Sequence, residues 1–160
     1  MPNGFQHLLD LLLSFSADFI AFIVLTVAVM LFALYFGRDR LSPLIAGLYA
    51  ALALYTAFPY TLSLLSGPYM KIGLYLVFAV LGFITFSGLS YFTAAHSGGF
   101  LTELIVAILI AGFLLAISTH VLPVQDIYTF TPATKALFAS DQAFFWWLFA
   151  PLAGLFFIGR

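Results

Sequence analysis

The sequence predicts an all-α, polytopic integral membrane protein, and its composition and hydropathy pattern support that fold class. Hydrophobic residues make up 64% of the 160 residues and charged residues 7%, whereas a soluble domain is about half apolar and about a quarter charged. The apolar residues form runs of about 18 or more, the length at which a helix crosses the hydrocarbon of a bilayer. We therefore predict a bundle of four to five transmembrane helices with an N-terminal interfacial amphipathic helix, in one membrane domain over residues 1–160.

The first segment, residues 3–15, has the pattern of an interfacial amphipathic helix. Its apolar residues recur at helical spacing, at Phe5, Leu8, Leu9, Leu12 and Phe15. A cleavable signal peptide is the alternative interpretation. Such a peptide needs basic residues near its start, and the first Lys or Arg of this chain is Arg38.

Four longer apolar runs are predicted to cross the membrane, at residues 17–36, 43–65, 70–92 and 100–122. Turns rich in glycine, proline or charge separate them, at Gly37–Arg40, Ser66–Pro68 and His96–Gly99. A fifth run at 142–159 is shorter and contains Pro151, but Ser140 and Asp141 supply an N-cap and an acidic first turn. We predict that this run is a fifth transmembrane helix or a re-entrant segment.

The orientation depends on Arg38 and Arg40, which lie in a very short loop. Basic residues in short loops favour the cytoplasmic side. The N-terminus is then outside, and five spans place Lys71 and Lys135 outside and Arg160 inside.

The composition also bears on function. Five Lys+Arg against six Asp+Glu leave no basic patch for nucleic acid, and the absence of cysteine excludes disulfides and thiolate chemistry. The sequence contains no phosphate-binding loop and no nucleophile elbow. We therefore expect no catalytic activity, no cofactor and no metal. The expected partners are the lipid bilayer and other membrane subunits or a second copy of the chain.

Small residues predict where the helices pack, because membrane helices associate through close approach of their backbones. The second span carries a stripe of alanines at helical spacing, with Gly47 and Ala51 beside it, and the third span has Gly82. Either the bundle itself or an oligomer interface uses these faces, and spacing alone leaves both open. The candidate packing residues are Ala46, Ala50, Ala53 and Ala57 in the second span and Ala107, Ala111 and Gly112 in the fourth.

Three polar residues are candidates for chemistry. Asp18 and Glu103 lie at predicted span starts, where a carboxylate is stabilised by the helix N-terminus, so capping is the main alternative to a functional role. His120 lies in the last turn of the fourth span, where it can act as a hydrogen-bonding anchor or a ligand. No metal-binding spacing links the histidines.

The layout resembles the colicin V production protein family of small bacterial inner-membrane proteins. The resemblance lies in Asp18 opening the first apolar helix, in the Gly37–Ser42 turn, in Gly98-Gly99 before the fourth helix and in the last aromatic segment. It implies a non-enzymatic membrane protein linked to export, envelope homeostasis or biofilm-related traits. From the layout as a whole we expect a structural or interaction component of a membrane assembly. The alternative function is a small transporter or channel subunit with a pore between protomers.

Overall fold

The computed structural model describes residues 4–59, 67–89, 99–131 and 134–158, and over these ranges the chain is helical without a strand. Within these ranges lie five α-helices, α1 (Gly4–Phe36), α2 (Leu41–Ala57), α3 (Pro68–Ser87), α4 (Phe100–His120) and α5 (Asp141–Ile158). Two 3₁₀ turns, Arg38–Arg40 and Pro123–Asp126, and a π-helical turn, Lys135–Ala139, lie between them. The predicted all-α bundle is confirmed.

Four segments of the described chain are long and apolar enough to cross a membrane. They are Phe19–Phe36, Arg38–Ala57, Pro68–Ser87 and Phe100–His120, each 18 to 21 residues long. At about 1.5 Å per residue these lengths match a hydrocarbon core of about 30 Å. A membrane crossing by α5, at the predicted segment 142–159, stays a prediction.

The first helix differs from its predicted form. The sequence predicts separate helices at 3–15 and 17–36, but α1 runs without interruption from Gly4 to Phe36. No glycine or proline occurs between Phe5 and Phe36, and serine inside a helix is tolerated because its hydroxyl bonds to the preceding turn. Asp18 therefore lies within a helix, so its predicted capping position at a helix start is wrong, and its side chain lies outside the described part of the structure.

The second helix ends inside the predicted span 43–65. α2 stops at Ala57, and Phe58 is extended with a ψ of 129°. The cause is Pro59, because the residue before a proline is disfavoured in the helical region. Residues 60–66 lie outside the described ranges.

The other helix ends follow local signals in the sequence. α3 begins with Pro68, a residue favoured at the first helical position, and ends at Ser87 rather than at 92. Residues 90–92 lie outside the described ranges. α4 agrees with the predicted 100–122 to within two residues. At the start of α5 the backbone N–H of Ala143 donates to the Ser140 hydroxyl at 3.2 Å, which confirms the predicted N-cap.

α4 is the central helix of the bundle. Of its span, 56% of the residues are buried, against 50% for the span that contains α2, 17% for that of α1 and 11% for that of α3. α1 and α5 pack against α4, and α2 packs against α3. Tyr49 of α2 joins the two groups, since its ring stacks on Phe113 of α4 with centroids 4.6 Å apart and its hydroxyl donates to the carbonyl of Leu148 on α5.

Two glycines let α2 and α3 touch through their backbones. A Cβ at Gly47 would lie 2.6 Å from the backbone nitrogen of Phe83, and a Cβ at Gly82 would lie 2.8 Å from the carbonyl oxygen of Gly47. Real Cβ atoms do not approach other heavy atoms this closely. Both glycines are therefore required for this crossing, as expected where membrane helices approach closely.

Candidate functional site

The polar groups lie at opposite ends of the bundle. The arginine end comprises the Arg38–Arg40 turn, Ser87 at the end of α3 and the first turn of α4. The histidine end comprises His120 at the end of α4 and Asp141 at the start of α5. Between these ends, the described core is formed by apolar residues and a few hydroxyl groups.

Arg38 and Glu103 form an ion pair at the arginine end, between Nε of the guanidinium and Oε1 of the carboxylate. The two partners differ in exposure, since the Glu103 side chain is 5% exposed and that of Arg38 is 49% exposed. Neither oxygen of Glu103 accepts a hydrogen bond from the described residues. Within them, Arg38 is the group that compensates this buried charge.

This pairing changes the interpretation of Glu103. The sequence places it in the first turn of α4, where a capping role is the main alternative to a functional one. The structure gives α4 Gly99 as its N-cap residue, without a side-chain cap, and directs Glu103 to the loop between α1 and α2. Glu103 thus ties α4 to that loop.

The backbone of the loop explains how two arginines reach different helices. Gly37 has a φ of +96°, a conformation that glycine adopts without strain, and it ends α1. Arg38 then points to Glu103 of α4, whereas Nη1 of Arg40 donates to the carbonyl oxygen of Ser87 on α3 at 3.4 Å. The turn therefore links the end of α3 with the start of α4.

At the histidine end, His120 contacts three of the described residues. Its ring stacks on Phe144 with centroids 4.3 Å apart. Nδ1 lies 3.4 Å from the carbonyl oxygen of Ala139, and Nε2 lies 3.7 Å from a carboxylate oxygen of Asp141. These contacts correspond to a hydrogen-bonding anchor that holds the start of α5 against the end of α4.

The three candidate polar residues do not form one site. Glu103 and His120 lie at opposite ends of α4, roughly 25 Å apart along its axis. Asp18 lies within α1, about 27 Å along that helix from Phe36 at the arginine end. In the described ranges, no group of three His, Cys, Asp or Glu residues is placed to hold a metal ion.

The candidate packing residues separate into buried and exposed sets. Ala107, Ala111 and Gly112 are buried in α4, and the ring of Trp147 lies over Gly112 where a Cβ would stand. On α2, Gly47 and Ala51 are buried. The predicted alanine stripe turns outward along α2, with Ala46 and Ala50 half-buried and Ala53 and Ala57 exposed.

Comparison with known proteins finds no relative of this chain. No protein-family model matches the chain, and no curated protein or solved structure is similar to it. The resemblance to the colicin V production protein family therefore stays a prediction.

Proposed function

We propose that this chain is a non-enzymatic integral membrane protein that acts as a structural or interaction component of a membrane assembly. The observation that carries the proposal is the exposure of Ala53 and Ala57 on α2. They lie four residues apart, the spacing at which small residues bring two membrane helices together. Gly47 and Ala51, the small residues of the neighbouring face, are already buried within the bundle.

The arrangement of the polar groups supports a role without catalysis. Arg38 and Glu103 hold the loop between α1 and α2 against α4, and His120 contacts Phe144 and Asp141 of α5. A polar residue within or beside a membrane span is often functional, but these groups are engaged in contacts between helices. The broad apolar faces of α1 and α3 remain for lipid or for neighbouring subunits.

The proposed setting is the plasma membrane of a bacterium, in line with the resemblance to the colicin V production proteins and an export or envelope role. The proposed orientation has the N-terminus outside and the arginine end in the cytoplasm, because Arg38 and Arg40 lie in a short loop. Reporter fusions after Arg40 and after Gly67 would test this orientation.

The alternative is a small transporter or channel subunit with a pore between protomers. Such a pore needs polar groups directed toward the protomer interface. The hydroxyls of Thr26, Thr56 and Thr85 instead donate to carbonyls of their own helices. We therefore favour the assembly role.

The assembly role is tested by replacing both exposed alanines, Ala53→Leu with Ala57→Leu, in the full chain. The larger side chains would hold a neighbouring helix away, so the complex purified in mild detergent should become smaller. Val77→Leu on the exposed face of α3 serves as the matched control and should leave the size unchanged. An unchanged complex in the alanine variant, measured by light scattering after size exclusion, would contradict the proposal.

A further inference from the structure

An apolar groove lies between α1 and α4 on the surface of the bundle. Its volume is about 340 Å³, and it is lined by Phe22, Thr26 and Val27 of α1 and by Leu104 and Ile108 of α4. Thr26 carries the one hydroxyl among its described lining residues, and that hydroxyl donates to the carbonyl oxygen of Phe22 at 2.9 Å. The groove thus offers shape and apolar surface but no hydrogen-bonding group to a ligand.

The position and size of the groove favour an acyl chain as its occupant. Its α1 residues belong to the candidate span Phe19–Phe36, so it lies at the level of the hydrocarbon. Its volume is at the lower end of the range of about 300–1,000 Å³ for small-molecule sites. A whole helix is about 10–12 Å wide with its side chains and exceeds such a space.

One end of the groove adjoins the arginine end of the bundle. Leu104 follows Glu103, whose carboxylate pairs with the half-exposed Arg38. Guanidinium groups bind phosphate in a planar, forked geometry, and basic residues between membrane helices at the interface bind lipid headgroups. A chain in the groove would therefore place its headgroup near the Arg38–Arg40 turn.

We propose that this groove binds one acyl chain of a membrane phospholipid whose phosphate lies at the Arg38–Arg40 turn. Asp39 and Glu103 balance the two arginines in formal charge. Because these charges cancel, we expect the turn not to select anionic over zwitterionic headgroups, and the contact would be to the phosphate that all phospholipids share. This inference does not depend on the proposed assembly role.

The test counts the lipids retained by the purified full chain. The protein is delipidated, placed in nanodiscs of phosphatidylglycerol, phosphatidylcholine or phosphatidylcholine with diacylglycerol, and analysed by native mass spectrometry. The wild-type chain should retain one phospholipid of either headgroup and no diacylglycerol. Val27→Trp fills the groove and should lose this lipid, and Ile23→Trp, at a second exposed lining position, should do the same.

Val80→Trp on α3 is the matched control, because Val80 is 56% exposed, close to the 49% of Val27, and lies outside the groove. It should keep the lipid, and all variants should melt near the wild-type temperature. Retention by both groove variants, or equal loss in the control, would overturn the proposal. Equal retention of diacylglycerol and phospholipid would also overturn the proposal. The same holds if a photocrosslinker at position 27 captures a polypeptide rather than a lipid.

Discussion

Removing either partner of the Arg38–Glu103 pair should destabilise the protein, and the two losses should differ. Arg38→Gln leaves a carboxylate that is 5% exposed without its counter-ion. Removing one partner of a buried pair costs about 3–5 kcal/mol, and we expect about 3 kcal/mol here. Glu103→Gln instead leaves a guanidinium that is 49% exposed and that water can solvate, so its loss should be about 1 kcal/mol.

The double variant separates this reasoning from a general effect of mutation. With Arg38→Gln and Glu103→Gln together, no charge is left buried, so the loss should fall to about that of Glu103→Gln alone, about 1 kcal/mol. Asp39→Asn is the control, because Asp39 is exposed in the same turn.

The free energy of unfolding can be measured by titrating the protein with a denaturing detergent in mixed micelles and following circular dichroism. We expect the wild type to be the most stable and Arg38→Gln the least stable. Glu103→Gln and the double variant should lie between them, with similar stabilities. Equal losses in the two single variants, or a double variant as unstable as Arg38→Gln, would refute the argument from exposure.

Two further predictions concern glycines at close contacts. Gly47→Ala should destabilise the α2–α3 contact by about 1–3 kcal/mol, because its Cβ would lie 2.6 Å from the backbone nitrogen of Phe83. Gly73→Ala is the control and should not destabilise the protein, because no atom lies within 4 Å of the Cβ that it adds. The detergent titration described above compares the two, and equal stability would contradict the proposed backbone contact. Gly112→Ala should displace the ring of Trp147 and weaken the 3.1 Å bond from its Nε1 to the carbonyl of Leu137. Tryptophan fluorescence in a Trp146→Phe background should then shift, and an unshifted spectrum would show that the ring does not lie on Gly112.

The sequence predicts the fold well because the composition leaves one environment in which these helices are stable. With 64% hydrophobic residues and 7% charged residues, long apolar runs must lie in lipid as helices. The ends of the helices are harder to predict. The hydropathy pattern predicts a second span that continues beyond Pro59. The helix nevertheless ends at Ala57, because a proline restricts the backbone of the residue before it, here Phe58.

The candidate site depends on contacts that a linear pattern does not contain. Arg38 and Glu103 are both visible in the sequence as charges near span ends, but their pairing follows from the packing of α1 against α4. The same limit applies to α2, where two adjacent small-residue faces have helical spacing. Only the crossing with α3 decides that Gly47 is buried and that Ala53 is exposed.

The central claim, that the apolar helices cross a membrane, is tested most directly by labelling the turn before α2 and the residue before α3. The chain has no cysteine, so Asp39→Cys and Gly67→Cys each introduce a single reactive thiol at an exposed or half-buried turn. In sealed vesicles of known orientation, a membrane-impermeant maleimide should label these two positions from opposite sides. Labelling of both from the same side would contradict the account.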